Sequence, residues 1–333
     1  MNVATTIDPE IAAALAVLPF SSIDFGSWTL ETIPTMRAAM AGMPIPEPPP
    51  TTTVSRDVVL PPGRDGHAAS ARVYAPPRAG AGRPCILWIH GGGYMFGSGL
   101  MTDPRLNRWV EEFDCVVVSA EYRLAPEHPY PGPLDDCYAA LTWTAANSTE
   151  LGIDPSRIVV AGASAGGGLA AALVLLARDR REVPVAFQLL IYPMIDDRNL
   201  TPSSHIVGAP VWSREANLLG WRAYLGREPG GSDVPIYAAP ARAGDLATMP
   251  PTWIGVGTLD VFRDENIDYA KRLLAAGIPV ELHVYPGATH GFELMAPDAA
   301  VARRCQRDID EALGRALGGA PGSRSRPDRG ATS

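Results

Sequence analysis

The segment "VVAGASAGGGLAAAL", residues 159–173, sets a single hydroxyl among small residues. A β-branched run ends at Ala161. Gly162-Ala163-Ser164-Ala165-Gly166 follows, and then an alanine- and leucine-rich stretch of helical character. This is G-x-S-x-G in the setting that gives it meaning, a strand turning sharply into a helix. Such a turn is strained and holds the serine oxygen clear of the backbone, while Gly162 and Gly166 keep it free of side-chain clashes. The helix that begins after Ser164 points its free N–H groups at the turn, which favours developing negative charge. Outside that setting the pattern would be no more than a Gly/Ala-rich helix start.

A serine hydroxyl becomes a nucleophile only when a base takes its proton. Of six histidines, His67 falls in a polar turn, His90 ends a strand before three glycines, His128 lies in a proline-rich loop and His205 in an irregular stretch. His283 alternates with Leu282 and Val284 along a strand. His290 follows a strand end in "YPGATHGF", a glycine-flanked loop, where α/β sheets carry their working residues. His290 is therefore the expected base, and the chain order serine, acid, histidine agrees with it. The acid is expected at the end of "TWIGVGTLD", at Asp260. Asp264 and Glu265 are the alternatives, although they look like the capping first turn of the next helix. Acyl transfer also needs donors for an oxyanion. "HGGGYMFGSG" begins at the carboxyl end of "PCILWIH", and consecutive glycines let backbone N–H groups approach a ligand closely. A phosphate loop does not fit: there is no G-x-x-x-x-G-K-[ST], no G-x-G-x-x-G and no nearby lysine. The Gly92 and Gly93 amides, with that of Ala165, are the expected donors.

These side chains need a scaffold, and the rest of the chain reads as one. "ARVYAPP", "PCILWIH", "CVVVSAEYR", "RIVVAG", "FQLLIYP", "TWIGVGTLD" and "VELHVYPG" read as strands. "PLDDCYAALTWTAAN", "SAGGGLAAALVLLARD", "DENIDYAKRLLAAG" and "PDAAVARRCQRDIDEALGRAL" read as helices between or after them. Apolar strands without alternation, separated by helices, predict an α/β fold with a mostly parallel sheet covered on both faces. "VELHVYPG" does alternate, which places it near an edge. Asp8-Pro9 starts a helix over "PEIAAALAVL", and a second helical pattern covers "WTLETIPTMRAAMAGM" before the proline-rich "PIPEPPPTTT". Between "IYP" and "TWIGV" the rhythm breaks. A structureless loop of that length is improbable, so helices are expected there, one of them around "REANLLGWRAYLG". The expected organisation is N-terminal cap helices in 1–50, a catalytic domain in 51–318 with a cap insertion at about 195–250, and a disordered tail in 319–333. Ile11, Leu15, Leu18 and Phe20, with Trp212, Leu218 and Trp221 of the insertion, would roof the site with apolar surface.

Composition narrows the partners. The 333 residues are 46% hydrophobic and 19% charged, enough to build a large core. A net charge of -8 argues against a nucleic-acid partner, and the one dense basic cluster, "GSRSRPDRG", lies past the last apolar helix. Cys85, Cys115, Cys137 and Cys305 show no metal-ligand spacing and read as buried free thiols of a reducing compartment. The N-terminus lacks a basic n-region, and no apolar run is long enough to span a bilayer. The expectation is a soluble cytoplasmic protein with no membrane insertion.

Taken together, "HGGGYMFGSG", "EYRLAPEHPYPGPLDD", "GASAGGGLA", "LDVFRDE" and "VYPGATHGF" resemble the hormone-sensitive-lipase family of esterases, within the α/β-hydrolase superfamily. The likeness runs in order from about residue 84 to 295. It implies an α/β-hydrolase fold with a helical cap, a Ser164, Asp260 and His290 triad, oxyanion donors at Gly92, Gly93 and Ala165, and no cofactor or metal. His90 and Gly91 would brace the glycine loop, as Gly162 and Gly166 brace the serine turn. Ala163 departs from the Asp or Thr usual before the family's serine. The implied activity is hydrolysis of small-molecule carboxylic esters of short to medium acyl length through an acyl-enzyme. Two other readings exist on the same fold. One is a non-catalytic small-molecule receptor, which the presence of His290 opposes. The other is an amidase or peptidase. Homodimerisation stays open in the sequence.

Overall fold

The computed structural model describes residues 7–18, 25–41, 49–63 and 65–318. The tail expected in 319–333, Phe20 and much of the proline-rich link lie outside them. The strands are β1 (Val54–Val59), β2 (Ser70–Ala75), β3 (Arg83–Ile89), β4 (Val116–Glu121), β5 (Ile153–Ala163), β6 (Phe187–Ile191), β7 (Thr252–Gly257) and β8 (Val280–Tyr285). The helices are α1 (Pro9–Val17), α2 (Ile33–Ala41), α3 (Asp103–Phe113), α4 (Gly132–Ala146), α5 (Ser148–Leu151), α6 (Ala165–Arg180), α7 (Arg214–Leu225), α8 (Arg263–Ala275), α9 (Phe292–Met295) and α10 (Ala300–Ala316).

The strands form a single sheet in the order β1-β2-β4-β3-β5-β6-β7-β8. β1 and β2 pair antiparallel, as do β2 and β4, and every pairing from β4 through β3 to β8 is parallel. The alternating strand β8 lies at an edge, as its pattern predicted. Central strands carry apolar residues on both faces because both faces are covered. Along β3, Cys85, Leu87 and Ile89 enter one core and Ile86 and Trp88 the other. β5 divides the same way, with Ile158 and Val160 against Val159 and Ala161. α6 is buried over most of its length, so its sequence is apolar all round rather than striped. The sheet is therefore a rigid frame whose parallel strands deliver their following loops to one edge.

Four elements were not foreseen, β1, α3 and the short helices α5 and α9. β1 is mostly exposed, so it carries no apolar signature. α3 does have a start signal, Pro104 in its first turn, and a buried stripe of Arg105, Leu106, Trp109 and Val110. The helix expected near 214–226 is α7, started by the Ser213 hydroxyl accepting from the Ala216 N–H at 3.2 Å. The irregular segment before it is tied down by charge. Buried Asp197 accepts from Arg242 Nε at 2.5 Å and Nη2 at 2.9 Å, and from the Gly230 N–H at 2.7 Å. All four cysteines are buried and unpaired. No helix among the described residues is long and apolar enough to cross a membrane.

Candidate active site

β3, β5, β7 and β8 run parallel, so the residues that follow them emerge at the same sheet edge. Those residues are the glycine loop from His90, Ser164, Asp260 and His290. Ser164 sits between β5 and α6 with φ 57° and ψ -123°, a conformation that costs a non-glycine residue roughly 1–3 kcal/mol. The surroundings hold it there. Its N–H donates to the Ile191 carbonyl at 2.9 Å, and its carbonyl accepts from Gly168 at 2.9 Å and Met194 at 3.0 Å. A Cβ on Gly166 would lie 2.2 Å from the Ile89 carbonyl oxygen, so only glycine lets the helix start pass so close to β3.

His290 joins the other two groups. Its Nε2 is 2.9 Å from Ser164 Oγ and its Nδ1 is 2.8 Å from Asp260 Oδ2. A carboxylate only accepts, so Nδ1 carries the proton and Nε2 is left as the acceptor facing the hydroxyl. Asp260 is fully buried, and its other oxygen accepts from the Phe262 N–H at 2.9 Å. The two alternative acids are engaged elsewhere. Asp264 accepts from the Ser203 N–H at 2.7 Å and from Arg263 Nε at 2.7 Å. Glu265 Oε1 accepts from the Ile195 and Asp196 N–H groups at 2.9 and 3.3 Å. Burial, then the charge of Asp196, pushes the Glu265 carboxyl well above its ordinary range. His283 is occupied at the sheet edge, with Nε2 2.8 Å from Glu281.

The glycine loop packs against the serine turn. A Cβ on Gly91 would stand 3.3 Å from Ser164 Cβ and 3.0 Å from the Ala163 carbonyl oxygen. Gly92 has φ +125°, and a Cβ there would lie 1.8 Å from the Phe96 carbonyl oxygen. The N–H groups of Gly92, Gly93 and Ala165 donate to no backbone carbonyl among the described residues, so all three are available to a ligand. No group of three or more His, Cys, Asp or Glu side chains among the described residues is placed to hold a metal ion.

His90 sits beneath this loop. Its Nδ1–H donates to the Gly91 carbonyl at 2.7 Å, its ring stacks on Tyr122 at 4.3 Å, and the Tyr122 hydroxyl donates to the His90 carbonyl at 2.9 Å. Burial lowers the His90 pKa to about 4 from an ordinary 6.5. The unfolded chain therefore takes up this proton first on acidification. The contribution of neutral His90 to stability is intact above about pH 6.5, falls between there and pH 4, and reaches a loss on the order of 3 kcal/mol. A His90→Asn variant is expected to be less stable at neutral pH but to lose less on going to pH 4.5. Urea midpoints of both proteins at the two pH values check this, and equal losses would refute it.

Apolar side chains surround the site from outside the sheet. Trp212 packs on the glycine loop: a Cβ on Gly93 would meet its indole at 2.3 Å. Its ring lies 6.4 Å from that of His290. Phe25, from the N-terminal segment, stacks on Phe96 at 5.2 Å and reaches Trp212 at 5.9 Å. Arg37 of α2 donates to the Met95 and Ala125 carbonyls at 2.6 and 2.7 Å. Ile11 and Leu15 of α1 are buried with Tyr285, Ala288 and Phe292 on the His290 side. Sequence reading missed Tyr192 and Glu293, whose side chains meet behind His290, because nothing in "LLIYP" or "HGFELM" marks a distant pair.

Known proteins resemble this chain closely. A family described as the alpha/beta hydrolase fold matches residues 86–294. Esterase LipI of Mycobacterium tuberculosis is 38% identical over 291 residues, which is 86% of this chain and 88% of that protein. Carboxylesterase NlhH of the same organism is 42% identical over 241 residues, 69% of this chain and 74% of that one. Among solved structures, a bacterial heroin esterase superposes with a TM-score of 0.84 at 45% identity, covering 94% of this chain and 98% of its own. Esterase LipW from Mycobacterium marinum gives 0.81 at 36% identity, covering 95% and 97%. The chain belongs to the hormone-sensitive-lipase family of the α/β-hydrolase fold, and it is a carboxylesterase.

Proposed function

We propose that this carboxylesterase cleaves short- to medium-chain acyl esters through a covalent acyl-enzyme on Ser164. The hydrogen-bonded line Asp260–His290–Ser164, at 2.8 and 2.9 Å, carries the reading. Ser164 Oγ attacks the ester carbonyl carbon while His290 Nε2 takes its proton. Asp260 holds Nδ1–H and balances the imidazolium that forms. The N–H groups of Gly92, Gly93 and Ala165 receive the oxyanion. Collapse breaks the bond to the alcohol oxygen, which leaves with the proton from His290. A water molecule then gives a proton to His290 and its oxygen to the acyl carbon, and the acid departs as Ser164 regains its proton. His90 and Gly91 steady the oxyanion loop, and Gly162 and Gly166 the serine turn.

We assign 1–50 and about 195–250 to a cap on a catalytic domain that spans 51–318. The aromatic contacts of Phe25 and Trp212 over the glycine loop support that division. A roof of this kind limits the chain it can cover. Each methylene buried adds at most about 0.8 kcal/mol, and the gain ends where the chain meets the roof, so kcat/KM is expected to be highest at about C2 to C8. A panel of p-nitrophenyl esters tests this. A maximum among the long-chain esters would overturn it.

A further inference from the structure

Glu293 lies on α9, three residues past His290, and is only 1% exposed. Its carboxylate accepts from the Tyr192 hydroxyl at both oxygens, 2.7 and 2.8 Å, and from Arg105 Nη2 at 2.9 Å. Arg105 is buried as well. Its guanidinium lies 5.8 Å from the rings of both Trp88 and Trp109, and its Nη1 has no protein partner. Tyr192 follows β6 with a positive φ of 36°, fixed by its N–H donating to the Gly255 carbonyl at 2.7 Å. Its ring contacts His290 at 4.6 Å, tilted by 64°. Phe262 contacts the same imidazole at 5.1 Å, nearly perpendicular. Three elements far apart in sequence, α3, the end of β6 and α9, thus meet at one buried carboxylate beside His290.

Stability alone explains this poorly. A buried ion pair is often no better than apolar side chains of the same volume, the unpartnered Nη1 adds cost, and so does the backbone of Tyr192. The neighbourhood of His290 supplies a reason. Its loop is bounded by Gly287 and Gly291, both at positive φ, 70° and 67°. The Gly287 and Ala288 carbonyls accept from the Asp8 and Leu259 N–H groups at 2.9 Å. Thr289 and His290, however, make no backbone–backbone hydrogen bond among the described residues, so the stretch that carries the histidine depends on its side-chain surroundings. Glu293 shares a short helix with that loop and is clamped to groups that the sheet and α3 hold still.

We propose that Glu293, Tyr192 and Arg105 are positioning residues for His290. The carboxylate ties the segment carrying the histidine to the end of β6, and the Tyr192 ring held there keeps the imidazole in line with Ser164 and Asp260. The inference rests on His290 being the general base. Proton transfer depends steeply on alignment, and a displacement of 1 Å can cost about 10²-fold. Acylation and deacylation both use His290, so loosening it slows both and leaves KM nearly unchanged.

The triple variant Arg105→Met, Glu293→Leu, Tyr192→Phe removes the polar network, leaves no buried charge unpaired and keeps the aromatic ring. Kinetics on p-nitrophenyl acetate and a urea midpoint are measured for it, for Tyr192→Phe alone and for His290→Ala. The expected result is a kcat lower by about tenfold or more in the triple variant with KM within about threefold, and a smaller drop in Tyr192→Phe, again with KM within about threefold. A folded triple variant with wild-type kcat would overturn the proposal. If the triple variant does not fold, Tyr192→Phe decides, and wild-type kcat in it has the same meaning. An active His290→Ala would remove the base assignment itself, whereas an inactive one beside fully active network variants would defeat only the positioning role.

Discussion

Alanine in place of Ser164 is expected to lower turnover of a p-nitrophenyl ester by about 10⁶-fold in a protein that still folds. The substitution removes one oxygen and nothing the turn depends on. The backbone bonds of residue 164 to Ile191, Gly168 and Met194 involve no side-chain atom, and alanine tolerates the positive φ no worse than serine. His290 loses its partner at 2.9 Å, and no other hydroxyl of the described residues bonds to either ring nitrogen. What survives is substrate binding and polarisation by the glycine-loop amides, which in triad enzymes leaves a modest acceleration over water. An organophosphate should label the wild-type protein at Ser164 and leave the variant unlabelled. A variant retaining a tenth of the activity, or labelling at another residue, would show that the nucleophile lies elsewhere.

The groups proposed to react were legible as candidates because local backbone chemistry marks each of them. Ser164 sits among small neighbours in a strained turn, the proposed oxyanion loop has glycines that expose its N–H groups, and His290 lies in a loop at a strand end. Each setting restricts residue types over five to ten consecutive positions, and such restrictions survive in a sequence read alone. The sheet was legible for a related reason. Strands covered on both faces become unbroken apolar runs, as in "CILWI" and "IVVAG", while an exposed strand such as β1 has no such constraint and went unseen. The network of Arg105, Tyr192 and Glu293 was not legible. Its members are 101 and 188 residues apart in the two bonds that define it, and each looks ordinary where it stands. Arg105 and Glu293 lie on α3 and α9, two helices that the sequence did not predict. Only the crossing order of the sheet brings them together, and no local pattern encodes that order. The insertion lies between these extremes. The length of the gap predicted helices and α7 fulfils it, yet the contact of Trp212 with Gly93 depends on how that helix docks.

Asp260→Asn is expected to lower kcat by about 10⁴-fold, far more than Asp264→Asn or Glu265→Gln. The side chain keeps its shape, and one amide atom can still accept from the Phe262 N–H as Asp260 Oδ1 does at 2.9 Å. The other atom, facing His290 Nδ1 where Oδ2 now lies at 2.8 Å, becomes an NH₂ group. It donates to Nδ1 and drives the imidazole proton to Nε2. Nε2 then has no lone pair for the serine proton, and no anion balances an imidazolium. The two neighbouring acids are expected to behave differently because of what they touch. Asp264 bonds to Ser203 and Arg263 and reaches no reacting atom, so its amide should cost stability before turnover. Glu265 is held well above the ordinary carboxylate range by burial and by Asp196, so it is biased towards the neutral acid that glutamine imitates. The amide can still accept from the Ile195 and Asp196 N–H groups that Glu265 Oε1 serves at 2.9 and 3.3 Å. Glu265→Gln should therefore keep kcat within about threefold of wild type. Steady-state kinetics of the three variants at one pH decide the matter. Were Glu265→Gln the most damaging of them, the acid would stand one turn into α8 and the Asp260 assignment would fall.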